Sequence, residues 1–368
     1  LIRTYVSVHV CSLLFANLWY QVLQGSLAAW VSPRSTFLQE RLAVCPPGNL
    51  TLETNAAIWA LAQSATEEDL EALGRGQVPN DEFQAFFDRY GARSDASWEI
   101  MATRWRQDPS LVVPLLSAQG GRDPREREAK QEAEFSEALA ELRQAVPSGW
   151  RRTALEGMIP MLREYLLLRE NQRFWFDQLL YSTQQTLLWI GDSLARDGVL
   201  SAGADIAFLT WPEVQGIVGG SLTSEAVPGW VARRRAQRDE DAAVTPPVFL
   251  VGDDPAIPDD AGGRLQGLGI SPGRVRGKVR IVRRLSDGQS IQPGEILVTR
   301  AVDPGWTPLF ASVSGLILEM GSLLSHGAVV AREYKIPAVV NIDGILNRLR
   351  DGDEVTVDGT RGLVWIHP

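Results

Sequence analysis

Residues 315–341 read GLILEMGSLLSHGAVVAREYKIPAVVN. An apolar run ends at Glu319, and a loop passes through Gly321 and Ser322. His326 then stands between Ser325 and Gly327, just ahead of Ala328-Val329-Val330-Ala331, and a second apolar run follows Pro337. The pattern predicts strand, turn, helix, strand. One imidazole is thereby placed near a helix N-terminus, where free N–H groups and positive partial charge favour an anion. Gly327 lets the backbone approach closely. A neutral imidazole, with an ordinary pKa of about 6.5, is a competent nucleophile at neutral pH. The arrangement suits a histidine that accepts a phosphoryl group and hands it on, with Ser325 and the helix end holding phosphate oxygens and Arg332 approaching them. The competing reading is a structural or solvated histidine, because one such residue in a loop is only a motif hypothesis. His9, in an apolar stretch, and His367, next to last, read as structural or incidental.

Outward from this stretch, the period of the whole C-terminal region is that of a sheet. Short β-prone runs fall at 275–282, 296–299, 316–318, 338–342, 355–358 and 363–366, separated by turn signals such as Ser271-Pro272-Gly273, Pro293-Gly294 and Asp351-Gly352-Asp353. Helical stretches interrupt them at 307–313 and 327–334. Residues 264–368 therefore read as a compact β/β/α domain. Residues 239–263 mix acids with Pro and Gly and read as a linker. Residues 1–238 read as mostly helical. A break is expected at Cys45-Pro46-Pro47-Gly48-Asn49, a cap at Asn80 or Asp81, and a long helix over 154–197 ending at Gly198. The fold class is thus multidomain, helical first and α/β after.

Composition narrows the function. The 368 residues are 45% hydrophobic and 22% charged, ordinary for a globular protein. The net charge of −9 argues against bulk electrostatic binding of nucleic acid. It divides into −12 for residues 1–263 and +3 for 264–368, as for two units with different partners. Two cysteines and three histidines leave little room for a disulfide framework or a metal cluster. Residues 4–33 carry no Lys, Arg, Asp or Glu, yet include His9, Asn17, Gln21 and Gln24, so they read as a buried helix and not a membrane span. The expectation is a cytoplasmic protein with no membrane partner.

The C-terminal motifs resemble the swivelling phosphohistidine (mobile) domain of the phosphoenolpyruvate-utilising enzymes. The matching residues are Ser271-Pro272-Gly273 with Gly277, Pro293 to Val298, Asp303 to Phe310 (DPGWTPLF), Glu319, Gly321, Leu324 to Ala328, Ala331 to Tyr334, Ile336 to Val340, and Asp351-Gly352-Asp353 with Asp358-Gly359. The resemblance implies that His326 carries a phosphoryl group between two remote sites as its domain swings. It implies further that Ser325 and Arg332 assist, with Gly321, Gly327 and Glu319 supporting the phosphate. The sequence departs from the pattern at Ser322 (usually glycine), Val302 (usually threonine) and Lys335 (commonly glycine).

The helical region resembles the rifampicin phosphotransferase group of that family, through Pro47-Gly48-Asn49, FFDRYGAR at 86–93, Arg104-Trp105, Arg169-Glu170-Asn171 with Arg173-Phe174, and DIAFLTWPE at 205–213. A histidine is common where Ala92 stands. The resemblance suggests Arg93, Trp105, Arg169 and Arg173 as substrate contacts. Read from spacing alone, Arg169, Glu170 and Arg173 form a surface i,i+4 network, and Trp98, Trp105, Trp175 and Trp189 are core. In the family an ATP-grasp domain splits ATP with Mg²⁺, and no match to that domain is found. ATP and Mg²⁺ are therefore expected on a partner domain or subunit, with no cofactor or metal on this chain. The expected function is a phosphotransferase component acting on a rifamycin-like or other small molecule. The alternative is a non-catalytic relic or interaction protein.

Overall fold

The computed structural model describes residues 2–31, 35–96, 98–119, 123–244, 250–251, 254–255, 264–323 and 325–367. The chain forms two compact units. The first comprises Leu1–Ser97, Arg104–Asp177 and Asp259–Pro368, the second Trp98–Thr103 and Gln178–Pro258.

Helices α1 (Ile2–Trp30), α2 (Ser35–Leu42), α3 (Leu50–Ser64), α4 (Glu67–Gly74), α5 (Asp81–Tyr90), α6 (Val113–Ser117), α7 (Pro124–Ala145) and α8 (Trp150–Arg196) build the N-terminal region. The division between units falls within α8, after Asp177. Caps stand where turn chemistry puts them. The Asn49 side chain accepts from the Thr51 N–H, and Asn80 accepts from the Glu82 and Phe83 N–H groups. Helices α1, α2, α7 and α8 share a core of Ala16, Leu23, Leu27, Leu38, Leu42, Ala138, Leu142, Leu155, Ile159 and Leu162. Each buried leucine there contributes roughly 1.5–3 kcal/mol. Helix α1 is not the wholly buried helix its composition suggests: Val8, Leu14, Phe15 and Leu18 are exposed. Only one of its faces meets α2, α7 and α8. No helix among the described residues is long and apolar enough to cross a membrane.

In the second unit, α9 (Trp211–Val218) and α10 (Val227–Ala242) pack around Leu194, Leu200, Ile206, Val214, Val227 and Val231. Gly198, at φ +73, ends α8. Of the linker expected over 239–263, residues 239–242 close α10. A two-residue pairing joins β1 (Leu250–Val251) to β2 (Asp254–Pro255), and 245–249, 252–253 and 256–263 lie outside the described residues.

The C-terminal sheet has eight strands: β3 (Arg264–Gln266), β4 (Leu268–Ser271), β5 (Arg274–Ile281), β6 (Ile296–Thr299), β7 (Gly315–Leu318), β8 (Ala338–Val340), β9 (Glu354–Asp358) and β10 (Leu363–His367), in the order β3-β10-β9-β5-β6-β7-β8-β4. The central β5-β6-β7-β8 block is parallel and its flanks antiparallel. Strands β6, β7 and β8 are buried throughout, which explains their continuous apolar runs. The two-residue period sorts them. Leu297, Leu316 and Leu318 face a core that also holds Ile58, Leu61, Phe87 and Leu115 of the helical region. Ile296, Val298 and Ile317 face the opposite core, with Ile345 and Leu346 of helix α12 (Ile345–Arg348). Helix α11 (His326–Glu333) packs into the first core through Ala328 and Val330. Strands β3 and β4 are not predicted from the sequence. They are short, terminal in the sheet and glycine-linked, so no alternating run marks them.

Candidate active site

His326 is the first residue of α11, the element that follows β7 in the chain. Its side chain is 12% exposed and held at both nitrogens. Nε2 lies 2.9 Å from Thr307 Oγ1, and Nδ1 lies 3.2 Å from Glu170 Oε2. Thr307, fully buried, comes from the 3-10 turn Pro304–Ala311, and Glu170 from α8. An ionised carboxylate only accepts hydrogen bonds, so Nδ1 carries the proton and donates it to Glu170. In the neutral ring Nε2 then keeps its lone pair and accepts from the Thr307 hydroxyl.

Glu170 is ionised despite its burial. Desolvation pushes its pKa up, but the bond from His326 and the charges of His326, Arg169 and Arg173 outweigh that and hold it at about 2. Arg169 Nη2 is 3.6 Å from Glu170 Oε1, and Arg173 Nη2 is 2.8 Å from Asp303 Oδ1. Burial lowers the Arg169 pKa against the pull of Glu170. The Arg169/Glu170/Arg173 set is therefore not the surface network its spacing suggests. The turn carrying Asp303 and Thr307, together with α11, covers this face of α8, leaving Arg169 5% and Glu170 3% exposed. The signal was in the sequence. Leu162, Leu166, Glu170 and Phe174 recur every four residues, so an acid occupies the buried apolar stripe. Thr307 carried no signal beyond its place in the DPGWTPLF motif.

Other expected residues are arranged differently. Arg332 lies on another face of α11 from His326, six residues along the helix, and its guanidinium donates to the Ile270 carbonyl at 3.0 Å. Ser325 is the N-cap residue of α11, but its hydroxyl donates to the Ser322 carbonyl at 2.9 Å. The Gly321 N–H donates to Asn341 Oδ1 at 2.9 Å. Glu319, nearly buried at the end of β7, stands 4.0 Å from Arg300. Gly327 is a packing requirement: a Cβ there would lie 2.6 Å from Val302 Cγ2 and 2.9 Å from Leu318 Cδ1. Arg93 and Arg104 are buried beside Asp177 at 3.8 and 3.7 Å, and Trp105 is buried against Phe86. Arg93 and Trp105 thus lie in the core, while Arg169 and Arg173 converge on the carboxylate that holds His326. Of the tryptophans expected inside, Trp98, Trp175 and Trp189 are at least half exposed. They fall outside the apolar stripes of their segments. Among the described residues no group of three His, Cys, Asp or Glu is arranged to hold a metal ion.

Residues 291–362 match the mobile domain of the PEP-utilising enzymes, and residues 8–170 match the fourth domain of rifampicin phosphotransferase. The two matched segments are thus similar to parts of the PEP-utilising enzymes and of rifampicin phosphotransferase. Among its relatives, the rifampicin phosphotransferase of Streptomyces sviceus is 31% identical over 94% of this chain and 42% of its own length. That of Bacillus cereus is 31% identical over 81% and 36%, respectively. A prodigiosin-synthesizing transferase of Serratia marcescens is 28% identical over 94% and 42%. The chain thus spans about two fifths of the length of these relatives.

Proposed function

We propose that this chain is the phosphoryl-carrying component of a phosphotransferase, with His326 Nε2 as the carrier atom. The observation that carries this reading is the pairing of the imidazole. A buried, ionised Glu170 holds the Nδ1 proton, which leaves Nε2 as the nucleophile beside a single hydroxyl. On charging, an N–P bond forms at Nε2 as a P–O bond of the donor breaks. The Glu170 carboxylate balances the positive charge that develops on the ring. Arg169 and Arg173, one turn apart and both near Glu170, supply positive charge for the phosphoryl oxygens as well as for the carboxylate. On discharge, the acceptor hydroxyl forms an O–P bond and the N–P bond breaks. The shuttle requires the Arg173–Asp303 and His326–Glu170 contacts to open and re-form as the domain swings.

ATP and Mg²⁺ belong, on this proposal, to an ATP-grasp partner domain or subunit, and the reaction takes place in the cytoplasm. The acceptor is a small molecule. The names of the rifampicin phosphotransferases favour a rifamycin-like one, and a relative named as a prodigiosin-synthesizing transferase leaves room for another small molecule.

The test is labelling of the purified chain with ATP carrying radiophosphate at the β position, together with a rifampicin phosphotransferase ATP-grasp domain or lysate of the source cells. Acid-labile, base-stable label is expected on the wild type and none on His326→Ala. Glu170→Gln is expected to slow labelling about 100-fold, within the range for a group that sets proton position. Equal labelling of His326→Ala would end this reading.

A further inference from the structure

At the other end of α11 the first unit contains a cavity of about 770 Å³, within the range of small-molecule sites. Ala43, Val44, Leu166, Val329 and the ring of Tyr20 give it apolar walls. Its charged lining is unbalanced: five carboxylates (Glu40, Glu134, Glu137, Glu170 and Glu333) face three cations. Those cations are engaged, as are Glu134, Glu137 and Glu170, the last by His326, which leaves Glu40 and Glu333 as the lining carboxylates with no ion pair among the described residues. Arg41 pairs with Glu141 at 2.7 Å, Lys335 with Glu134 at 2.6 Å, and Arg332 donates to the Ile270 carbonyl. Glu333 is 7% exposed. Its Oε1 accepts from the Cys45 N–H at 3.2 Å, whereas its Oε2 is buried with no hydrogen-bond partner. The nearby Gln131 amide donates to the Glu333 main-chain carbonyl at 2.6 Å. A buried carboxyl oxygen left in this state is costly unless a donor reaches it.

We propose that this cavity binds a small amphiphilic amine, its ammonium donating to Glu333 Oε2 and its apolar body lying along Val329, Leu166 and Tyr20. An anion meets a surplus of carboxylates there, and a purely apolar molecule leaves Glu333 unsatisfied. A cationic donor on an apolar stem answers both. Glu170, which holds His326 Nδ1, also lines the cavity, but the proposal rests on Glu333 and does not depend on phosphoryl transfer. Two features support it independently, the charge imbalance of the lining and the unpartnered buried oxygen.

The experiment uses the full chain and two probes with one fluorophore and opposite charge, dansylcadaverine and dansyl-6-aminohexanoate. Saturable, one-to-one binding with a blue-shifted emission is expected for the amine, at least tenfold tighter than for the acid. Glu333→Gln, which keeps the shape, is expected to weaken the amine at least tenfold and leave the acid unchanged. Ala43→Trp, at the cavity wall, is expected to remove binding of both while the fold persists by circular dichroism. Equal affinity for the two probes, unchanged amine binding in Glu333→Gln, or no saturation by the amine at millimolar concentration would each overturn the proposal.

Discussion

The two carboxylates gathered around α11 are buried alike and behave oppositely. Glu170, against His326 at the helix start, is held ionised at about 2. Glu333, in the last turn, is pushed up by burial to about 7, with the Cys45 N–H, the Gln131 amide and Arg332 opposing and the charge of Glu170 adding to the rise. The desolvation penalty is common to both. What separates them is the positive charge and the N–H donors within reach. Glu170 has Arg169, Arg173 and the ring of His326, whereas Glu333 has a main-chain N–H and one arginine occupied elsewhere. A buried acid is thus a fixed charge or a titrating one according to its neighbours.

The hardest test of that contrast is deletion. Glu170→Ala leaves Arg169 and the His326 ring without their carboxylate, and is expected to cost about 3–5 kcal/mol, the range for a broken buried pair, read from urea denaturation at pH 7.5. A loss no larger than that of Glu333→Ala would erase the distinction.

Titration tests the same point without removing an atom. Glu333 has a raised folded-state pKa, so its contribution is fully present below 4.5 and is lost as pH rises through about 7. That loss amounts to roughly 3 kcal/mol, and Glu333→Gln is expected to flatten this part of the stability profile. Glu170 has a depressed pKa, so its contribution is present above 4.5 and lost as pH falls through about 2. A stability profile unchanged between pH 5 and 8 in Glu333→Gln would mean that Glu333 does not titrate there.

The first turn of α11 sharpens the comparison sterically. Gly327→Ala drives a methyl into Val302 and Leu318 and is expected to cost about 1–3 kcal/mol, as overpacking does. Val302→Ala should recover part of this in the double variant. Additive losses in that cycle would show that the contact is not the cause.

The smallest effect lies just beyond the last turn. Lys335 has φ +52, a left-handed conformation that costs a non-glycine residue about 1–2 kcal/mol. Its exposed pair with Glu134 returns about 0–1 kcal/mol. Lys335→Gly is therefore expected to raise stability by up to about 1 kcal/mol, measurable as a small increase in Tm. A fall in Tm would assign the larger share to the ion pair.

Much of the C-terminal sheet was legible because β5 to β10 are buried parallel or alternating runs with glycine and proline turns between them. Their period is local. The position of His326 before a helix followed from the same local signals. The glycine the family commonly has at 335 is explained by the backbone there, since the left-handed φ of Lys335 is a property of the turn and not of the side chain. The start of the eight-residue helix is thus a matter of local signals, whereas the need for glycine at 327 is set by Val302 and Leu318, which the fold brings against it.

What only the tertiary structure decided is which side chains meet. Glu170 and His326 are 156 positions apart, and Arg173 and Asp303 are 130 apart. No local period says that the acid on the buried stripe of α8 faces an imidazole and not an alkyl chain. Nor does it say that Arg332 turns to the Ile270 carbonyl and not to His326. Spacing fixes which face of a helix a residue occupies. What covers that face depends on long-range packing, and the cover sets the local dielectric, the tautomer of His326 and the charge of each buried acid.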